Sequence, residues 1–288
     1  MRILFVHGRA QGGKSSASLL AEWRKALDRG LGSAALSLPG SVSFDQPFYG
    51  DTLDDFVNRA KLPSTRELVQ MGPGQDQGYE LFAQSVLQEM STSAEISETE
   101  IRQQMPEGEL QEMGPQNWEW VQALVQVIDG HWPAISGVTI EKFLTDVYLY
   151  LDKPAVRKKI DGIVEAALTD QPTVVVGHSL GSVVAYNVLV KHAPRLKLAG
   201  FLTIGSPLGI KAITALLGLP RNPAAGRWVN AYDKRDIVAL NPLNAKHFPV
   251  APPVSNFSGV RNHTDNRHGI AGYLDDPTVA RQLVAFAT

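Results

Sequence analysis

Residues 173–186 read TVVVGHSLGSVVAY. The first four residues form a β-branched run between Pro172 and Gly177, the pattern of a strand buried on both faces. The residues after Ser179 are apolar on nearly every side and predict a buried helix over Leu180–His192. Between them lies Gly177-His178-Ser179-Leu180-Gly181, a G-x-S-x-G. A strand running into this pentapeptide and a helix running out of it make a nucleophile elbow, which lifts the serine hydroxyl clear of the sheet. A side chain in place of Gly177 or Gly181 would collide with the neighbouring strand or helix. The helix N-terminus brings free backbone N–H groups and a positive dipole end towards any negative charge that develops there.

A serine nucleophile needs a base, and the base needs an orienting acid. On strand–turn–helix elbows these follow in the order serine, acid, histidine. Downstream, the strand-like RWVNAY at 227–232 leads into Asp233-Lys-Arg-Asp236-Ile-Val, and Arg267-His268-Gly precedes the last helix. Asp236 is the expected acid and His268 the expected base. Asp233 is the second choice of acid and reads better as a brace for its turn. His263 is the second choice of base. His263, Asp265 and His268 also form an H-x-D-x-x-H, a spacing that lacks the helical register and further ligands of a metal site. No metal or cofactor is expected.

The N-terminal stretch VHGRAQGGKSS, residues 6–16, is ambiguous. Gly8 to Ser15 fits G-x-x-x-x-G-K-[ST], a phosphate-cradling loop. The same residues also read as a His-Gly loop beside a serine nucleophile. A nucleotide site would leave GHSLG, Asp236 and His268 as coincidences. The serine reading leaves only Lys14-Ser15, two ordinary residues at a helix start.

The alternation around these motifs predicts an α/β protein. Strands are expected at Ile3–Val6, Ala34–Leu38, Thr173–Val176, Leu198–Ile204 and Trp228–Tyr232. Helices are expected from Ser15 to about Arg29, ended by Gly30 and Gly32, and over Pro154–Leu168, Leu180–His192, Ile210–Leu217 and Pro277–Ala287. Residues 41–150 break the pattern and contain no convincing parallel-strand run. Capping boxes at Ser64–Glu67 and Ser97–Glu100, and helical periodicity at Tyr79–Met90, Trp118–Ile128 and Ile140–Leu151, mark a helical cap or lid insertion. The expected organisation is a core of residues 1–40 and 151–288 with the insertion at 41–150. Within it, Gln84–Gln116 carries seven glutamates against one arginine and reads as a solvated helical surface or a mobile lid. Phe44, Phe48, Tyr49, Trp118, Trp120 and Trp132 read first as core and second as a pocket lining. The short helix near Ile210–Leu217 is a candidate second wall.

Composition removes several classes of function. The chain of 288 residues has no cysteine, so thiolate metal sites and a cysteine nucleophile are excluded. A formal net charge of −2 gives no electrostatic footprint for nucleic acid. MRILFVHG is too short an apolar run for a signal peptide, and no run is long enough to span a bilayer, so a cytoplasmic location is expected.

VHG at 6–8, GHSLG at 177–181, LTIGSPL at 202–208, VNAYDKRDIV at 229–238 and RHGIAGYL at 267–274 together resemble the α/β-hydrolase superfamily. The resemblance is to lipase- and esterase-like members, including bacterial lecithin:cholesterol-acyltransferase-like and GPI-inositol-deacylase-like groups. It covers nearly the whole chain outside 41–150. It implies a mostly parallel sheet with helices on both faces, shortened at one edge because many members have two strands before the His-Gly loop. It also implies a serine hydrolase acting on a small-molecule or lipid-like acyl ester through a Ser-His-Asp triad and an acyl-enzyme, with acyltransferase or thioesterase variants of the same chemistry. In this family the residue after His-Gly and the residue after the nucleophile supply the oxyanion-hole N–H groups, which carries over to Arg9 and Leu180. Two other expectations remain: a P-loop nucleotide binder, and a non-catalytic module of the same fold that holds a protein partner through its acidic insertion.

Overall fold

A computed structural model describes residues 1–62, 77–105, 118–131 and 137–288. Six parallel strands form one sheet in the order β2-β1-β3-β4-β5-β6. They are β1 (Arg2–Val6), β2 (Ser43–Asp45), β3 (Thr173–His178), β4 (Leu198–Ile204), β5 (Trp228–Ala231) and β6 (Ser255–Phe257). Eleven α-helices surround them among the described residues. These are α1 (Ser16–Ser33), α2 (Gly50–Ala60), α3 (Gln77–Ser93), α4 (Glu98–Gln103), α5 (Trp118–His131), α6 (Gly137–Asp152), α7 (Pro154–Glu165), α8 (Leu180–His192), α9 (Lys211–Ala215), α10 (Ala271–Leu274) and α11 (Pro277–Ala287).

The sheet divides the core by the period of two that a strand imposes. Ile3, Phe5, Val174 and Val176 point to one face, where Leu19, Trp23 and Leu27 of α1 and Leu283 of α11 cover them. Leu4, Val6 and Val175 point to the other, beneath Val183 and Val184 of α8. That second cluster continues without a break into Phe82, Val86 and Leu87 of α3, Leu124 of α5 and Leu144 of α6. The helical insertion therefore shares the apolar core of the sheet.

Several expectations need correction. Ala34–Leu38 forms no strand, and the strand beside β1 is Ser43–Asp45, inside the stretch expected to hold none. Three residues are too few to show a periodic pattern. This strand is fixed by its partners instead: Asp45 pairs with Arg2, and Phe44 packs 5.9 Å from Phe5 beneath the Arg24 guanidinium. Helix α1 does not stop at Gly30 or Gly32 but runs to Ser33. Gly30 serves close packing there, since a Cβ would lie 2.4 Å from the Leu274 carbonyl oxygen. The Gln84–Gln116 stretch is not simply a solvated surface. Val86, Leu87, Met90, Ile96 and Ile101 are all buried, while Glu107, Glu109 and Glu112 fall outside the described residues. The Ser97–Glu100 capping box is formed at the start of α4, and the one at Ser64–Glu67 also lies outside the described residues.

Candidate active site

In an all-parallel sheet every strand ends on the same edge, and the loops beyond those ends collect there. Strands β1, β3 and β5 deliver the His-Gly loop, Ser179 and the Asp233–Asp236 loop to that edge.

Ser179 sits between β3 and α8 with φ 54° and ψ −132°, a backbone region that L-residues rarely occupy. The turn is held by Ser179 N–H donating to the Ile204 carbonyl at 3.2 Å. Ser182 Oγ donates to the Ser179 carbonyl at 2.6 Å. The two flanking glycines are required by close approach. A Cβ on Gly177 would lie 2.6 Å from Ser182 Cα, and one on Gly181 would lie 2.2 Å from the Val6 carbonyl oxygen.

The structure brings Ser179, His268 and Asp236 into one hydrogen-bonded line. His268 Nε2 lies 2.8 Å from Ser179 Oγ, and His268 Nδ1 lies 2.7 Å from Asp236 Oδ2. With the carboxylate accepting from Nδ1–H, the bare Nε2 faces the serine hydroxyl. Asp236 is fully buried, and its other oxygen accepts from Val238 N–H at 3.0 Å. The His268 loop is held by Asn266, whose Oδ1 accepts from His268 N–H at 3.1 Å and Gly269 N–H at 3.0 Å.

Asp233 faces away from this line. It accepts from Arg235 Nη2 at 2.6 Å and from Asn262 N–H at 2.8 Å, and so ties the acid loop to the histidine loop. Burial alone would favour its neutral form, but the hydrogen bonds from Arg235 and Asn262 outweigh that and hold its pKa below the ordinary aspartate value. His263 contacts Asp275 at 2.7 Å and is separate from the site. Among the described residues no three His, Cys, Asp or Glu side chains are grouped to hold a metal ion.

Several residues around the line were not anticipated from the sequence. Tyr273 donates to Asp236 Oδ2 at 2.6 Å. His178, noted only as part of the pentapeptide, donates through Nε2–H to the His268 carbonyl at 2.8 Å, and the two rings lie 4.9 Å apart. Burial, with smaller repulsion from His268, lowers the His178 pKa to about 3. His7 is also fully buried, and burial lowers its pKa to about 4. Its Nε2 accepts from Tyr49 N–H at 3.1 Å, so Nδ1–H donates to the Gly8 carbonyl at 2.7 Å. The Tyr49 ring stacks on it with centroids 4.0 Å apart, and the Tyr49 hydroxyl donates to the His7 carbonyl.

The loop after His7 lies against the nucleophile, since a Cβ on Gly8 would come within 2.9 Å of Ser179 Cβ. Arg9 follows, its Nε donating to Asp146 Oδ2 of α6 at 2.6 Å. Burial raises the Asp146 pKa, and the Arg9 charge offsets only part of that rise. Leu180 is the first residue of α8, so its N–H has no acceptor within the helix.

Above Ser179 opens a cavity of about 260 Å³. The insertion contributes Met90, Ile140 and Phe143 to its wall. The core contributes Trp23, Ile237, Val238 and Ile270, and polar groups including Glu22, Asn266, His268 and the Gly8–Gln11 loop also line it. Of the aromatics read first as core and second as lining, those described follow the first reading and none lines the cavity. Tyr49 and Trp120 are core, while Phe44 and Phe48 pack at its margin. The Trp118 side chain and Trp132 fall outside the described residues. The second wall is not built by α9 but by Ile237 and Val238, just after the acid.

Two residues of the phosphate-loop pattern meet acidic groups. Gly13 N–H donates to Asp51 Oδ1 at 2.7 Å, and Lys14 pairs with Glu22 at 2.9 Å. No described helix is long and apolar enough to cross a membrane. Comparison of the chain with protein-family models, with curated proteins and with solved structures finds no match.

Proposed function

We propose that this chain is a serine carboxylic-ester hydrolase with the α/β-hydrolase fold. The observation that carries the reading is the line Ser179 Oγ–His268 Nε2, His268 Nδ1–Asp236 Oδ2, set at 2.8 and 2.7 Å on a nucleophile with positive φ. Ser179 Oγ attacks the acyl carbonyl carbon while His268 Nε2 takes its proton. Asp236 stabilises the imidazolium that results. The carbonyl oxygen becomes an oxyanion held by the N–H groups of Arg9 and Leu180. Collapse breaks the bond to the alcohol oxygen, which leaves with the proton from His268. Water, deprotonated by the same histidine, then releases the acid and regenerates Ser179. The predominantly apolar cavity wall suits the acyl chain, and no cofactor takes part in these steps.

The nucleotide reading has less support. A phosphate loop aims its backbone N–H groups and its lysine at phosphate oxygens, whereas here Gly13 and Lys14 meet carboxylates. The reading as a partner-holding module leaves the Ser179–His268–Asp236 line without a role.

The test is intact mass after exposure to a fluorophosphonate probe, on wild type and Ser179→Ala in parallel. A single adduct on wild type, lost in the variant, is expected. A folded wild type that forms no adduct, or a variant that still does, rules the reading out. Ester turnover should fall by on the order of a millionfold in the variant.

A further inference from the structure

Asp146 lies on α6 in the insertion, 137 residues from its partner Arg9. It is 94% buried at the side chain, and the Arg9 side chain is 85% buried. This buried bond joins α6 of the insertion to the loop that follows β1 at Arg9, while Tyr49 and Asp51 hold the same loop at His7 and Gly13. That loop has little room to move, because Gly8 backs onto Ser179 Cβ. It is also held in an uncommon shape. Ala10 has φ 57°, and Gln11 Nε2 donates back to the Arg9 carbonyl at 2.9 Å. A non-glycine residue keeps such a conformation only where its surroundings fix it.

We propose that Asp146 is a positioning residue for the Gly8–Arg9 peptide, acting through the Arg9 guanidinium, so that the insertion sets the oxyanion geometry as well as roofing the cavity. The proposal rests on the ester-hydrolase reading, in which the Arg9 N–H meets the oxyanion. Hydrogen-bond donors to an oxyanion act only at the correct distance, and a misplacement of about 1 Å can cost on the order of a hundredfold in rate. An anchor of this kind governs kcat and leaves substrate binding nearly unchanged.

The experiment compares wild type, Asp146→Asn, Arg9→Gln and the double variant as full chains on a p-nitrophenyl acyl ester, with thermal melting alongside. Each single variant is expected to lose roughly ten- to a hundredfold in kcat, and in Asp146→Asn, whose residue does not line the cavity, KM should stay within about twofold. The double variant should be no worse than the poorer single one, because the same tether is lost only once. Wild-type kcat in folded Asp146→Asn, or single losses that multiply in the double variant, would overturn the proposal. Should Asp146→Asn fail to fold, the double variant, which removes both charges, decides: a reduced kcat supports the tether and a wild-type kcat overturns it. Absence of ester turnover and of a fluorophosphonate adduct in wild type would instead overturn the parent reading, and this proposal with it.

Discussion

Tyr273 donates its phenolic hydrogen to Asp236 at 2.6 Å, onto the same carboxylate oxygen that faces His268 Nδ1 at 2.7 Å. Burial, and the negative charge of Asp236 beside it, raise the Tyr273 pKa well above its ordinary value, so it remains a donor throughout the working pH range. Hydrogen bonds to charged groups contribute about 1.5–3 kcal/mol. Tyr273→Phe should therefore lower the melting temperature by several degrees, at about 2–4 °C per kcal/mol for a chain of this size. Turnover should fall far less than the roughly ten-thousandfold expected for Asp236→Asn, because Asp236 keeps both His268 and the Val238 N–H. Melting curves and ester kinetics on the two variants check this. An unchanged Tyr273→Phe melt would show that the bond contributes nothing.

Stability should depend on pH through His7 and His178. Their folded pKa values, about 4 and about 3, lie below the unfolded value of 6.5. Between those limits the unfolded chain binds more protons than the folded one. Their contribution is thus complete above pH 6.5 and shrinks as pH falls towards 3 to 4, by roughly 1.4 kcal/mol per pH unit for each histidine. Melting from pH 7 down to pH 5 should show the decline. His178→Gln, which keeps an N–H near the His268 carbonyl, should show a shallower one. Parallel curves for the two proteins would refute this origin.

Glu89 of α3 accepts from the N–H groups of Lys211 at 2.8 Å and Ala212 at 2.9 Å, the first two residues of α9. A carboxylate here satisfies free donors and complements the helix dipole, a contribution of about 1 kcal/mol. Glu89→Ala should lower the melting temperature by about 2–4 °C, and fluorophosphonate labelling of Ser179 should persist. Loss of labelling in a folded variant would mean that the contact reaches further than its cap.

The site was legible in the sequence to the extent that its parts lie next to a regular element. Ser179 follows a β-branched run, and Asp236 and His268 follow at the chain positions that the elbow dictates. Tyr273 and Asp146 had no such marker. A tyrosine in a short helix and an aspartate on a periodic one look like ordinary surface chemistry until the fold sets them beside Asp236 and Arg9. His7 and His178 were visible as letters but not as buried, neutral hydrogen-bonding groups, because burial is a property of the packed sheet. The edges of that sheet were lost for a related reason. β2 and β6 have three residues each, too short for a hydrophobic period, and β2 is specified by Arg2, Phe5 and Arg24 across the chain.

The backbone of Ser179, at φ 54°, has a consequence for any attempt to harden this protein by selection. Conformations of this kind cost of order 1–3 kcal/mol in a residue with a Cβ, and glycine is largely free of that penalty. A library screened only for heat resistance will therefore favour glycine at the one position where a hydroxyl is indispensable to the proposed chemistry, and the toughest clones will include dead ones. Selection has to carry an activity gate from its first round.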